Sequence, residues 1–238
     1  MIRLFTTLLY IVPGTLYWGA RILWGAWRGK PAGSWIFEEG PRRWCGSILK
    51  AAGVKVVLEG AEVIDPDRPQ ILVANHTSWF DVAALARHLP GKYRFVAKQE
   101  LAAVPVFGPA WQACGHIAID RKNRERAIES LAVARRKLED ERPTVIMFPE
   151  GTRSLDGKLQ PFKKGAFLLA IQTGVEIVPV AIVGAYDIMR KGSWLIRSGT
   201  LTIRFGTPIS VDGLGVEDRN ALVTQAREQI LDLQGASE

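Results

Sequence analysis

The chain carries two cysteines, Cys45 and Cys114, and three histidines in 238 residues. Two thiols cannot build a disulfide framework, and no Cys/His cluster has metal-ligand spacing. A structural metal site is therefore not expected, and a reducing compartment is the default. Internal repeats, low-complexity segments and long linkers are also missing, which excludes solenoids and disordered tails. The mean hydropathy of +0.06 excludes a bundle of membrane spans. Two catalytic signatures are absent as well. There is no Gly-x-Ser-x-Gly elbow for a serine acyl-enzyme, and Gly151 and Gly157-Lys158 have the wrong spacing for a nucleotide P-loop.

What is present is an apolar fraction of 47% and an excess of base over acid, 31 against 24, giving a formal charge of +7. That balance suits an anionic partner: nucleic acid, acidic lipid or a phosphorylated substrate. Composition alone does not choose among them.

The distribution along the chain says more. No acidic residue precedes Glu38, and residues 4–20 carry no charge. Arg3 stands before that run, and Arg21, Arg28 and Lys30 follow it. Trp18, Trp24, Trp27, Trp35 and Trp44 crowd the first 44 positions, joined by Tyr10 and Tyr17. These rings favour the headgroup level of a bilayer, where the ring is apolar and the N–H or O–H stays wet. A spanning helix needs roughly 20 apolar residues. Residues 4–20 fall short, and Pro13-Gly14 is expected to interrupt them. A signal peptide would need a small-x-small site, and none is clear near Ala20. A helix lying in one leaflet, with basic residues on anionic headgroups, fits the aromatics and the expected break better than a span, a signal peptide or a buried helix of a soluble protein. A second amphipathic stretch, residues 35–52, stops at Gly53.

Beyond residue 53 the pattern alternates. Short β-branched runs at 54–58, 71–74, 94–97, 116–120, 144–148, 177–182 and 201–205 read as strands. Helical periodicity occupies 80–88, 124–139, 164–173 and 217–233. The expected fold is α/β: a mixed, mostly parallel sheet covered by helices on both faces, in a domain of residues 53–238, preceded by a two-helix membrane anchor over 1–52. The charged run from Arg121 to Arg126 opens a helix whose Ile128, Leu131 and Leu138 are expected to face inward. It reads as a solvated helix face, and with no aromatic interleaving or nucleic-acid motif, no nucleic-acid partner is expected.

Two constellations can carry chemistry. Asn75-His76-Thr77-Ser78-Trp79-Phe80-Asp81 directly follows a strand, where open α/β sheets place ligands. A carboxylate one helical turn in can hold one imidazole nitrogen and leave the other as a general base. The same spacing, Ser78-x-x-Asp81, also reads as a capping box in which Asp81 only satisfies backbone N–H groups. Phe148-Pro149-Glu150-Gly151-Thr152-Arg153-Ser154 ends another strand. Its glycine permits close backbone approach, and its arginine fork fits a phosphate monoester. Lys98, Arg121 and Lys163-Lys164 are further candidate phosphate donors. If His76 is a base, the nucleophile belongs to the substrate.

Taken in order, these segments resemble the glycerolipid acyltransferases, most closely the 1-acyl-sn-glycerol-3-phosphate acyltransferases. Four ordered blocks carry the resemblance: Asn75 to Asp81 with its His-x4-Asp, Gly115 to Arg121, Phe148 to Ser154, and the apolar Val178-Pro179-Val180-Ala181-Ile182. Lys98-Gln99-Glu100-Leu101 and residues 162–167 also look like family features. Ala118 departs from the aromatic the family often carries there.

The resemblance, over roughly residues 53–206, implies acyl transfer from acyl-CoA or acyl carrier protein, as co-substrate, to lysophosphatidic acid, with no cofactor or metal. His76 and Asp81 would be catalytic. Lys98, Arg121 and Arg153 would hold the acceptor phosphate in a subsite with Glu150, Gly151 and Thr152, and the fourth block would support the acyl-side wall. A two-helix anchor is also a family feature, which places the enzyme on an anionic membrane surface at the cytoplasmic face. Glycerol-3-phosphate, a lyso-ornithine lipid or another lysophospholipid are alternative acceptors. A lipid hydrolase and a non-catalytic membrane-binding module are the alternatives outside acyl transfer.

Overall fold

The computed structural model describes residues 2–31, 33–120 and 123–235. Eight helices and seven strands follow one another as α1 (Ile2–Trp27), α2 (Trp35–Ala52), β1 (Val54–Glu59), β2 (Gln70–Ala74), α3 (Trp79–His88), β3 (Tyr93–Lys98), α4 (Phe107–Ala113), β4 (Ile117–Ile119), α5 (Arg124–Asp140), β5 (Thr144–Met147), α6 (Gly165–Thr173), β6 (Ile177–Val183), α7 (Ala185–Ile188), β7 (Gly199–Phe205) and α8 (Arg219–Gly235). The strands form one sheet in the order β1-β7-β6-β2-β5-β3-β4. Among the described residues, β6–β7 is the one antiparallel strand pair and the other five are parallel.

The central strands explain the architecture. β2 and β5 are buried along their whole lengths, as expected of parallel strands covered on both faces. Successive side chains of a strand point to opposite faces, and β2 divides accordingly. Leu72 and Ala74 join a core with α2, α3 and α7; Ile71 and Val73 join a second core with α5, α6 and α8. The mixed, mostly parallel sheet with helices on both faces is the expected fold.

α2 enters the first core through Cys45, Ile48, Leu49 and Ala52, and it stops at Gly53, whose left-handed conformation (φ 68°) closes the helix. Its Glu38 reaches Arg94 of β3, which also holds Glu141 beyond α5, both at 2.9 Å. α1 packs on α2 with one side only. The other side carries Phe5, Leu9, Val12, Leu16, Trp24 and Trp27, all more than half exposed. Their spacing keeps them on one helical stripe, about 33 Å long at 1.5 Å per residue.

Two expectations fail here. α1 runs unbroken through Pro13. A proline inside a helix removes one N–H and typically costs about 3 kcal/mol. The carbonyl it frees belongs to exposed Leu9, and packing against α2 supplies the compensation. Gly14, next to it, approaches Trp44 so closely that a Cβ would sit 2.8 Å from the indole. On α5, Leu138 and Leu131 do pack inward beside Ala134, but Ile128 is exposed. It lies one position off the stripe that Leu131, Ala134 and Leu138 define. Among the described residues, no helix is long and apolar enough to cross a membrane.

Candidate active site

β2 and β5 are parallel neighbours, with Ile71 opposite Val145, so the loops after them emerge side by side at the carboxyl edge of the sheet. Two bonds weld those loops together. The His76 N–H donates to Glu150 Oε1 at 2.6 Å, and the Ser154 N–H donates to the His76 carbonyl at 2.8 Å. Asn75 fixes the loop on its other side. Its amide pairs with both the N–H and the carbonyl of Ile182 in β6.

The His76 ring lies flat against Phe148, 4.0 Å between centroids, and its Nδ1 is 2.8 Å from Asp81 Oδ2. The same carboxyl oxygen accepts the N–H groups of Thr77 and Ser78. Ser78 caps α3 by accepting from Phe80, and its hydroxyl donates to the Met189 carbonyl. The capping box and the His–Asp pair are thus one structure: the helix start that holds Asp81 also aims it at His76. With Nδ1 engaged, Nε2 is the nitrogen left for the cavity that His76 lines.

That cavity is about 380 Å³, within the usual range of ligand sites. Its mouth is cationic. Lys98, at the end of β3, lines it, as does Arg153, whose guanidinium stacks 4.7 Å over the Trp79 ring. Partial burial draws that guanidinium below its ordinary value, opposed by the charge of Asp81. Lys191 completes the rim; its Nζ donates to Thr152 Oγ1 at 3.0 Å and to the Arg153 carbonyl at 2.9 Å.

The body of the cavity is apolar, running beneath α1, α2 and α4 to Tyr93 and His116. Tyr93 and Gln70 both pair with Thr144, and Gln70 is four residues before Ala74, which sets the far end about 13 Å along the strands from Ala74, where the dyad loop begins. His116 accepts the Phe95 N–H, and enclosure lowers its pKa to about 3, so it stays neutral. Burial pushes both cavity thiols, Cys45 and Cys114, up to about 12, which removes them as nucleophiles. Among the described residues, no group of three His, Cys, Asp or Glu side chains could hold a metal ion.

The candidate residues therefore divide. His76, Lys98, Thr152 and Arg153 line the cavity, and Asp81 stands behind His76. Glu150 and Gly151 do not line it. Glu150 is buried, its second oxygen accepts the Gln160 N–H, and desolvation raises its pKa to about 7. Gly151, at φ 74°, lets Lys163 pass where a Cβ would meet it at 2.9 Å. Arg121 lies outside the described residues. The fourth block does not itself line the cavity: Val178, Val180 and Ile182 sit in the core that also holds the cavity-lining Cys45, Tyr93 and Phe95, and Ile182 pairs with Asn75. Lys191 stands in a loop that carries no motif, and only the fold brings it to Arg153.

Residues 55–183, more than half of the chain, match the family model described as Acyltransferase. The chain belongs to that family. It is 35% identical over 172 residues to the 1-acyl-sn-glycerol-3-phosphate acyltransferase of Limnanthes douglasii, covering 72% of this chain and 60% of that protein. It is also 35% identical over 179 residues to the human 1-acyl-sn-glycerol-3-phosphate acyltransferase alpha, covering 75% and 63% respectively. The matches thus span somewhat less than two thirds of these relatives' length. The crystal structure of the 1-acyl-sn-glycerophosphate (LPA) acyltransferase PlsC from Thermotoga maritima superposes with a TM-score of 0.78 at 30% identity, covering 96% of this chain and 92% of that one.

Proposed function

We propose that this protein transfers a fatty acyl group from a thioester, acyl-CoA or acyl carrier protein, to the sn-2 hydroxyl of 1-acyl-sn-glycerol-3-phosphate, giving phosphatidic acid. The observation that carries the reading is the His76 Nδ1–Asp81 Oδ2 pair of 2.8 Å at the cationic mouth of an apolar cavity. The similarity to acyltransferases bearing that name supports it. In this reading His76 Nε2 takes the proton of the acceptor hydroxyl, and Asp81 holds the imidazolium that forms. The oxygen attacks the thioester carbonyl, and collapse of the tetrahedral adduct expels the thiolate. The proton on His76 then leaves with the thiol. No acyl-enzyme forms.

Lys98, Arg153 and Lys191 meet the acceptor phosphate, with Arg121 assigned to it by family resemblance alone. The apolar body takes the acyl chain. The lysolipid and the long acyl chain are both membrane-soluble, and the exposed stripe of α1 with its flanking arginines supports a helix lying in one leaflet of an anionic membrane, on the cytoplasmic face.

The test is product analysis with a labelled acyl thioester and a panel of acceptors: lysophosphatidate, glycerol-3-phosphate, and lysolipids without a phosphate monoester. Phosphatidate as the main product is expected. Free fatty acid formed without acceptor would identify a hydrolase instead.

A further inference from the structure

Two loops at the cavity mouth end in apolar side chains that project into solvent. Leu155, two residues after Arg153, is 71% exposed. Trp194, three after Lys191, is also 71% exposed, with Leu195 beside it. The loops hold these tips by design of their turns. The Tyr186 hydroxyl donates to the Leu155 carbonyl at 3.1 Å, and the Arg190 guanidinium lies 4.7 Å over the same Tyr186 ring. The Ser193 N–H bonds to the Arg190 carbonyl, Ser193 Oγ accepts the Leu195 N–H, and buried Ile196 pins the return. Lys191 joins the two loops through Thr152 and Arg153.

Tyr186 and Lys191 tie the two loops together, and their sequence is rich in base, with Arg153, Lys158, Arg190, Lys191 and Arg197 against Asp156 and Asp187. An exposed tryptophan and leucines among basic side chains match the headgroup layer of an anionic bilayer: the rings and methyls enter the apolar boundary while the cations meet phosphate. We propose that Leu155, Trp194 and Leu195 insert into that layer as a second membrane contact, separate from α1, which presses the cavity mouth against the lipid. This rests on the membrane reading of α1 given above. One helical stripe leaves the body free to roll about the helix axis, whereas a second contact at the mouth fixes its orientation. Lys98, Arg153 and Lys191 then lie at the level of lysolipid phosphates, and the acceptor reaches His76 without crossing water.

Single cysteines at Leu155, at Trp194 and, as a control on α8, at Glu228 are each labelled with an environment-sensitive fluorophore. Cys45 and Cys114 are buried and take no label. Phosphatidylcholine vesicles with and without phosphatidylglycerol are the probe. Labels at 155 and 194 are expected to shift to the blue on the anionic vesicles and the label at 228 to stay unchanged. The double variant Leu155→Ser, Trp194→Ser is expected to bind at least about tenfold more weakly, with unchanged turnover of a water-soluble short-chain acceptor. Wild-type binding with both labels still aqueous, and with the double variant binding equally, overturns the second contact and leaves α1 as the anchor. Failure of the wild type to bind either vesicle overturns both.

Discussion

The backbone N–H of His76 donates to Glu150 Oε1 at 2.6 Å, joining residues 74 positions apart in the chain. Glu150 therefore acts on the site from behind, by fixing the loop that carries the imidazole. Burial raises its pKa from 4.5 to about 7. Between those values the folded protein holds a proton that the unfolded chain has released, so stability falls as pH rises across that window and levels off above it. Denaturant titrations at pH 5 and pH 8 should show wild type losing stability relative to Glu150→Gln on going up in pH. A constant difference would contradict the assignment.

Asp81 serves the dyad and the start of α3 through the same oxygen. Replacement by Ala should cost about 0.5–2 kcal/mol of stability from the lost cap and about 10²–10⁴-fold in turnover. Thermal unfolding and turnover measured together separate the two effects. A stability loss with turnover intact would reduce Asp81 to a cap.

Arg153 should matter in proportion to the acceptor's phosphate. Arg153→Ala removes a charge-assisted contact of about 1.5–3 kcal/mol, or about 10–150-fold in kcat/KM, on lysophosphatidate. Arg153→Lys should recover little, because a compact ammonium neither stacks on Trp79 nor forks to two oxygens. Equal losses on an acceptor without phosphate would contradict the role.

Arg94 joins α2 to the end of α5 through Glu38 and Glu141, and the guanidinium itself is buried. Arg94→Ala leaves two carboxylates facing a vacated buried site. Breaking such a cluster costs about 3–5 kcal/mol in the interior, and the partial exposure of both glutamates puts the expected loss at the lower end. The drop in melting temperature checks it. An unchanged value would mean that α2 is not held by this cluster.

The strands and the dyad were legible because each leaves a local mark. Buried parallel strands read as continuous apolar runs, and β2 and β5 do. His76 and Asp81 are separated by one helix start, so their meeting follows from the capping geometry. Features that depend on distant packing were not legible. α1 continues through Pro13 because α2 lies beneath it. Glu150 reads as a substrate ligand in its motif, yet the sheet order turns it toward the His76 backbone. Lys191 becomes part of the mouth only because the loop after α7 folds back onto Thr152 and Arg153. The pairing of Ile182 with Asn75 was likewise not legible, because it depends on β6 lying beside β2 in the sheet.

The most direct measurement is acyl transfer from labelled acyl-CoA to lysophosphatidate in mixed micelles, with wild type and His76→Ala compared under identical conditions. The account predicts phosphatidate from the wild type and a rate about 10²–10⁴-fold lower from the variant, with both proteins folded. Equal rates from the two would contradict general-base catalysis by His76.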